Sequence, residues 1–421
     1  MVASRIKNSK IIIVVLCVIM LTILRDGFLS DTFQMIAFSV YCILLIGISL
    51  FYTKAPLSGV SIFIYFYMLF LCLGMIHLKI IKYHFYDDNE LQYIALGMTT
   101  FVVGSLIVEL FPLKYRTPSY KKVKPDTLFN LGKALCIIGC IFGLLYLVPN
   151  IRYIFSDYEN NRILMQSGNS VLIYLMILII PGSFVLYECH IRYNIKRIWP
   201  YIVLGSGIML ITGSRSKIAE ILIGCLMIHN RYKPIKGKTI IQLGIIAVLF
   251  VAIYGAFRAK ISGLNSDFFW GLWGVISVND INLNYILKAF PESVPFQYGY
   301  RYFMNFLVLL PGSQQDFTMW VKTALKQTFS GGGVTPTIIG EGYINFGLWG
   351  IVLEPLVLGF IICILDKKFR KSDYCVPLVI LILYLCRSVS GGVANIEIIL
   401  IWFELVSIFV YWLAKYRIKV R

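Results

Sequence analysis

Twelve long apolar runs leave this chain few ways to fold. With approximate edges they lie at 11–24, 33–52, 58–80, 91–112, 127–149, 170–188, 199–213, 218–229, 239–257, 334–365, 375–390 and 393–414. A helix needs about 20 apolar residues to cross a bilayer core of about 30 Å. Only 14 % of the 421 residues are charged, against about 25 % in soluble domains. So few charges cannot keep globules of this size in water, and disordered chains are poor in apolar residues. The sequence predicts an all-α polytopic membrane protein. Residues 1–421 form a single membrane domain with about 12 transmembrane helices. The first run follows a basic start (Arg5, Lys7, Lys10), as in a signal peptide. Arg25-Asp26-Gly27-Phe28 follows it where a small-residue cleavage site would stand, so it reads as an uncleaved anchor.

The net charge of +18 takes its meaning from position. With the N terminus inside, the inner segments are 1–10, 53–57, 113–126, 189–198, 230–238, 366–374 and 415–421. They hold 24 of the 39 Lys and Arg but only three of the 21 acids. Cytoplasmic loops carry such an excess, so both termini are expected in the cytoplasm. The charge is mostly a topology signal, and no nucleic-acid partner is expected. The ten cysteines lie in or at the ends of the runs, and the four histidines form no ligand-spaced set. That predicts no disulfide framework, no metal and no cofactor.

Three places depart from plain spans and short loops. The first is an outer loop of about 75 residues, 258–333. Loops that long are usually functional. It carries Phe268-Phe269-Trp270-Gly271-Leu272-Trp273 and Tyr298-Gly299-Tyr300-Arg301-Tyr302-Phe303, which predict short amphipathic helices on the outer membrane surface. Its aromatics serve either as interfacial anchors or as stacking faces for a sugar.

The second is the tip Thr212-Gly213-Ser214-Arg215-Ser216-Lys217, between two short runs. A twelve-residue run rises only about 18 Å, so the tip is expected below the outer surface. Lys217 and Glu220 are spaced to pair along a helix. Alternatively, Ser214 caps a helix whose N–H groups, with Arg215 and Lys217, suit a phosphate. The third is Gly331-Gly332-Gly333-Val334-Thr335-Pro336-Thr337 and the helix after it. Thr335-Pro336 reads as cap and first residue. Thr337, Glu341 and Asn345 share one polar stripe of an otherwise apolar span. An acid one turn inside a span is a functional candidate, with helix packing as the plainer reading. Outer arginines, among them Arg162, Arg258, Arg301 and Arg387, bracket the turns and offer a planar fork to phosphate.

Thr212-Gly213-Ser214-Arg215-Ser216 and Pro336-Thr337-Ile338-Ile339-Gly340-Glu341-Gly342-Tyr343-Ile344-Asn345-Phe346-Gly347 resemble stretches of the Wzy-type oligosaccharide repeat-unit polymerases of O-antigen and capsule assembly. The span count and the single large outer loop match too; the motifs cover about thirty residues. The resemblance implies an enzyme of the bacterial cytoplasmic membrane with its site on the extracytoplasmic side. Its substrate would be an undecaprenyl-pyrophosphate-linked oligosaccharide, with a chain-length regulator and a flippase as candidate partners. It would transfer the growing glycan to a sugar hydroxyl of a new unit and release the lipid pyrophosphate. In that reading Arg215, Arg258 and Arg301 bind pyrophosphate, and Glu341 activates or orients the acceptor. Ser214, Lys217, Thr337, Tyr343, Asn345, Arg162 and Arg387 line the substrate site.

Three competing readings stand beside it. O-antigen ligases share this layout but carry a functional histidine in the large loop, and residues 258–333 contain none. A lipid-linked oligosaccharide flippase would place its polar site near the midplane, whereas here the polar residues gather toward the outer end. A metal-dependent glycosyltransferase would use Asp87-Asp88 or Asp157-Tyr158-Glu159, acidic pairs of a kind common in loops.

Overall fold

The computed structural model describes residues 2–25, 31–52, 55–81, 89–111, 123–156, 170–212, 215–261, 268–307, 315–329, 332–372 and 375–415. Every regular element among them is a helix. In chain order these are α1 (Val2–Arg25), α2 (Asp31–Gly47), α3 (Gly59–Tyr67), α4 (Leu73–Ile80), α5 (Glu90–Leu110) and α6 (Pro125–Ser156). Then come α7 (Ser170–Met176), α8 (Ile179–Tyr193), α9 (Trp199–Ile211), α10 (Arg215–Tyr232), α11 (Gly237–Ile261) and α12 (Phe268–Ala289). The last are α13 (Met304–Leu307), α14 (Phe317–Ala324), α15 (Thr337–Phe346), α16 (Leu348–Lys371), α17 (Cys375–Gly391) and α18 (Glu397–Lys415). A π-helical stretch, Met68–Cys72, joins α3 to α4.

Seven of the described helices are long and apolar enough to cross a membrane, and four more apolar helices are shorter. That supports a polytopic membrane protein and leaves the number twelve an expectation of the sequence. Helices meet through glycines, as expected where lipid supplies no hydrophobic drive to association. A Cβ on Gly104 of α5 would lie 2.0 Å from the Leu356 carbonyl oxygen; one on Gly359 of α16 would lie 2.0 Å from that of Phe101. α5 and α16 therefore run in backbone contact. At the far end of this pair, Glu109 of α5 binds Lys10 of α1 at 3.1 Å and Lys367 of α16 at 3.0 Å.

The apolar run 334–365 is not one span. Gly347 stands at φ +58°, ψ −138°, a region open essentially to glycine alone, and the chain turns back there. A Cβ on Gly350 would lie 1.8 Å from the Gly342 carbonyl oxygen, so α15 folds directly against the start of α16. Ile339 meets Gly97 of α5 while Tyr343 stacks on Tyr93 at 6.0 Å. α15 thus runs opposite to α5, while α16 runs with it. The run divides into a buried ten-residue half-helix and a separate span. Hydropathy sees only apolar content, so it could not register the reversal.

Within the expected outer loop, residues 268–307 and 315–329 carry helices α12 to α14. α12 does not lie free on a surface: Ile276, Leu283, Ile286 and Leu287 are buried. Leu283 and Ile286 face Gly340 of α15. Of the two stretches expected to form short surface helices, 268–273 opens the long α12 and Tyr300–Phe303 forms one 3-10 turn, while α14 lies outside both. Asp316 caps it by accepting the Met319 N–H at 2.8 Å, and Phe317 and Val321 point inward. With Ile286, Phe290, Met304, Val334, Ile344 and Ala394 they form a second, smaller core beside the main one. That core fixes α15 and the 393–394 turn relative to each other.

Candidate carboxylate site beside a buried ion cluster

α15 is buried along almost its whole length, and Thr337, Glu341 and Asn345 have no exposed surface. Each has a defined task. Thr337 stands at φ +63°, a conformation that costs a β-branched residue about 1–3 kcal/mol. Its hydroxyl accepts the Gly340 N–H at 3.2 Å, so the cap is Thr337 rather than Thr335. Asn345 donates to the Glu341 carbonyl at 3.0 Å and accepts the Gly299 N–H at 3.2 Å. With two main-chain bonds from Gln297 and Tyr298 to Ile344 and Asn345, it ties the 297–299 strap to the end of α15. Tyr343 projects from another face, between Tyr93 and Phe296.

The Glu341 carboxylate sits in a main-chain pocket. One oxygen accepts the Ala394 N–H at 2.9 Å and the other accepts the Val393 N–H. Successive N–H groups in a turn make a concave anion site. The turn reaches the carboxylate because Gly392, at φ +81°, has no Cβ; one there would lie 2.4 Å from the Glu341 oxygen. Asn305 holds the turn from its other side, donating to the Ala394 carbonyl and accepting the Phe317 N–H at 2.8 Å.

A second acid joins Glu341. Glu354, on the second turn of α16, interacts directly with it. The Glu354 Oε2 atom accepts the Tyr302 hydroxyl at 2.9 Å, and its buried Oε1 atom has no partner. Burial first, and the Glu354 charge second, push the Tyr302 hydroxyl well above the usual phenol range. Tyr302 therefore stays a protonated donor. Its ring stacks on Phe346 at 6.4 Å. The preceding residue, Arg301, lies 3.9 Å over the Trp320 ring and donates to Gln297 at 2.9 Å. Partial burial lowers its pKa from the usual arginine value.

A different cluster forms where α10 meets α17. Glu220 binds Arg387 at 2.7 Å and Lys217 at 3.3 Å, and it accepts the Tyr384 hydroxyl. The expected Lys217–Glu220 pair is present, and the structure adds Arg387 and Tyr384. These two clusters share a stretch of chain. Arg387 lies on the last turns of α17, and Val393 and Ala394 follow just beyond its end.

Arg215 and Arg258 belong to α10 and α11 by backbone, and their side chains lie outside the described part. Ser214, Arg162, Asp87-Asp88 and Asp157-Tyr158-Glu159 lie outside the described residues altogether. Glu354 and Tyr302 went unforeseen. Glu354 is thirteen residues beyond Glu341, far away on a continuous helix, and only the reversal at Gly347 brings them together. Tyr384 could have been found, since it precedes Arg387 by three residues on one helix.

Two adjacent acids, a buried one anchored by main-chain N–H groups and a half-buried one, suit proton transfer. Comparison with known proteins agrees with a transfer enzyme. The family model entitled "Putative O-antigen polymerase" matches residues 57–402, a range that contains both clusters. No curated protein and no solved structure matches the chain. The match spans most of the molecule, and the chain belongs to the O-antigen polymerase family.

Proposed function

We propose that the protein polymerises undecaprenyl-pyrophosphate-linked oligosaccharide repeat units on the outer face of the bacterial cytoplasmic membrane. The observation that carries this reading is the pair of buried Glu341 and half-buried Glu354, whose described hydrogen bonds come from N–H and O–H donors. An acceptor sugar hydroxyl attacks the anomeric carbon of the growing glycan. A C–O bond forms there as the bond to the lipid pyrophosphate breaks. The hydroxyl proton passes to the Glu341–Glu354 pair, a step of the kind worth about 10²–10⁴-fold in rate. Glu341, fixed by Val393 and Ala394, orients the pair.

The leaving group carries the developing negative charge. Arg215, Arg258 and Arg301 hold it, and Arg387 and Lys217 lend it a positive field from their cluster. Arg301, braced on Trp320, presents its fork without losing much side-chain entropy. Thr337, Asn345 and Tyr343 shape the acceptor side, and Ser214 and Arg162 contribute to binding the pyrophosphate in this reading. A chain-length regulator and a flippase are its expected working partners.

The test is the lipid-linked glycan profile of variants expressed in a deletion background. Glu341→Ala and Arg215→Ala should each abolish long polymer while single repeat units accumulate on the lipid outside. Wild-type chain lengths in both variants would overturn the assignment. Repeat units trapped inside would point to a flippase instead.

A further inference from the structure

A cavity of about 180 Å³ opens at the other end of the α5–α16 pair, away from the Glu341 site. It lies between the N-terminal halves of α1 and α3 and the last turns of α5 and α16. Three cations line it, Lys10, Lys367 and Arg370, together with two acids, Glu109 and Asp366. Both acids are already engaged. Glu109 is shared between Lys10 and Lys367, and its Oε1 atom also accepts the Cys363 thiol at 3.5 Å. Asp366 accepts the Gly59 N–H at 3.1 Å on one oxygen and Arg370 at 3.0 Å on the other. The Lys10 ammonium is engaged too, by Glu109, by the Ser105 carbonyl at 3.3 Å and by Cys363 at 3.1 Å. Lys367 gives one N–H to Glu109 and one to the Val108 carbonyl at 2.9 Å, which leaves it a third among the described residues. The Arg370 side chain is 41 % exposed. Among the described residues it commits only one of its five N–H donors, to Asp366.

The cavity therefore carries one positive charge more than its acids balance, and its uncommitted donors belong to Lys367 and Arg370. We propose that it binds the phosphate of an anionic phospholipid from the cytoplasmic leaflet. Basic pockets between transmembrane helices on that side suit anionic headgroups. Lys10 lies in segment 1–10, and Lys367 and Arg370 lie in 366–374, two of the segments that the charge pattern assigns to the inside. Arg370 offers a planar fork to two phosphate oxygens, and Lys367 adds a point charge beside it. Lys10, held by its own bonds, contributes its field. The Ser58 and Ser61 hydroxyls, 2.9 Å apart, stand on the polar wall. Buried Ile13, Val60 and Ile64 form an apolar wall that suits the glycerol and first methylenes of a lipid. A free phosphate compound shares the headgroup chemistry but has no use for that wall. The bound lipid would fasten α1 and α3 to α5 and α16 at the end opposite the acid pair, so the site is separate from the proposed chemistry.

The test uses the full-length protein purified in a neutral detergent and stripped of lipid. Its thermal midpoint is followed as phosphatidylglycerol, phosphatidylcholine or inorganic phosphate is added at constant ionic strength. The site predicts a saturable rise with phosphatidylglycerol that neither phosphatidylcholine nor phosphate reproduces. Arg370→Gln should weaken the apparent affinity for phosphatidylglycerol by about fivefold or more. Lys371→Gln, at an exposed lysine outside the cavity, should leave it unchanged. If Arg370→Gln does not fold, native mass spectrometry of the wild-type protein in equal amounts of the two lipids carries the test, and phosphatidylglycerol should be retained in preference. An equal response to phosphatidylcholine, equal retention of the two lipids, or an undiminished response in Arg370→Gln would overturn the site. Equal losses in the two variants would overturn it too, and would show diffuse charge attraction. A rise with inorganic phosphate that phosphatidylglycerol does not exceed would overturn the lipid and give the cavity to a free phosphate compound. None of these readouts depends on polymerase activity.

Discussion

Two polar clusters flank the end of α17, and they are built on opposite principles. Around Glu220, one anion meets two cations and a tyrosine hydroxyl. Around Glu341, two acids meet main-chain N–H groups and one tyrosine hydroxyl, with Glu354 Oε1 left without a partner. In the first cluster every charged group has an opposite partner and one positive charge is left over, and its geometry is that of a fastener between α10 and α17. The second still has an open acceptor, which a passing proton can use. The lesson is that burial and charge do not by themselves mark a reactive group. What distinguishes the clusters is whether the charges already satisfy one another.

The contrast can be broken by experiment. The largest effect is expected at Glu341. Glu341→Ala should cost polymerisation at least about 10²-fold, read as chain length on lipid-linked glycans. Next comes Glu220→Ala, which strands Arg387 and Lys217 without their anion. Breaking a buried pair in this way costs about 3–5 kcal/mol, so the thermal midpoint should fall and activity should fall with it. A stable but inactive Glu220→Ala protein would move the chemistry to that cluster. Gly350→Ala pushes a methyl into the Gly342 carbonyl, and overpacking of this kind costs about 1–3 kcal/mol. It should loosen α15 from α16 and lower polymer yield more than stability alone accounts for. The smallest effect belongs to Tyr302→Phe, which removes the donor to Glu354. A hydrogen bond to a charged group is worth about 1.5–3 kcal/mol, so partial activity should survive with shortened chains.

Much of this architecture was legible in the sequence, and the residues show why. The apolar runs and inner-loop charges announced a polytopic helical protein, because hydropathy and charge placement depend on composition along the chain. Thr337, Glu341 and Asn345 fell on one stripe by helical spacing alone. The Lys217–Glu220 pair followed from the same rule. The reversal at Gly347 was hidden, since a lone glycine in an apolar run more often serves close packing. Glu354 was hidden with it. The 393–394 turn was also invisible, because its role rests on main-chain N–H groups that carry no side-chain signature. Its flanking glycines were the one available sign. α12 reads as loop aromatics at its start and becomes a packed helix only through neighbours distant in sequence.

The central claim is that the acid pair carries the proton transfer, while the ion cluster holds the fold and lends only its positive field. The direct measurement is in vitro polymerisation of a defined lipid-linked repeat unit by purified Glu341→Gln protein, with its thermal midpoint recorded beside the wild type. The account predicts a folded protein that binds the lipid-linked unit and joins none. A Glu341→Gln protein that builds chains of wild-type length would contradict it.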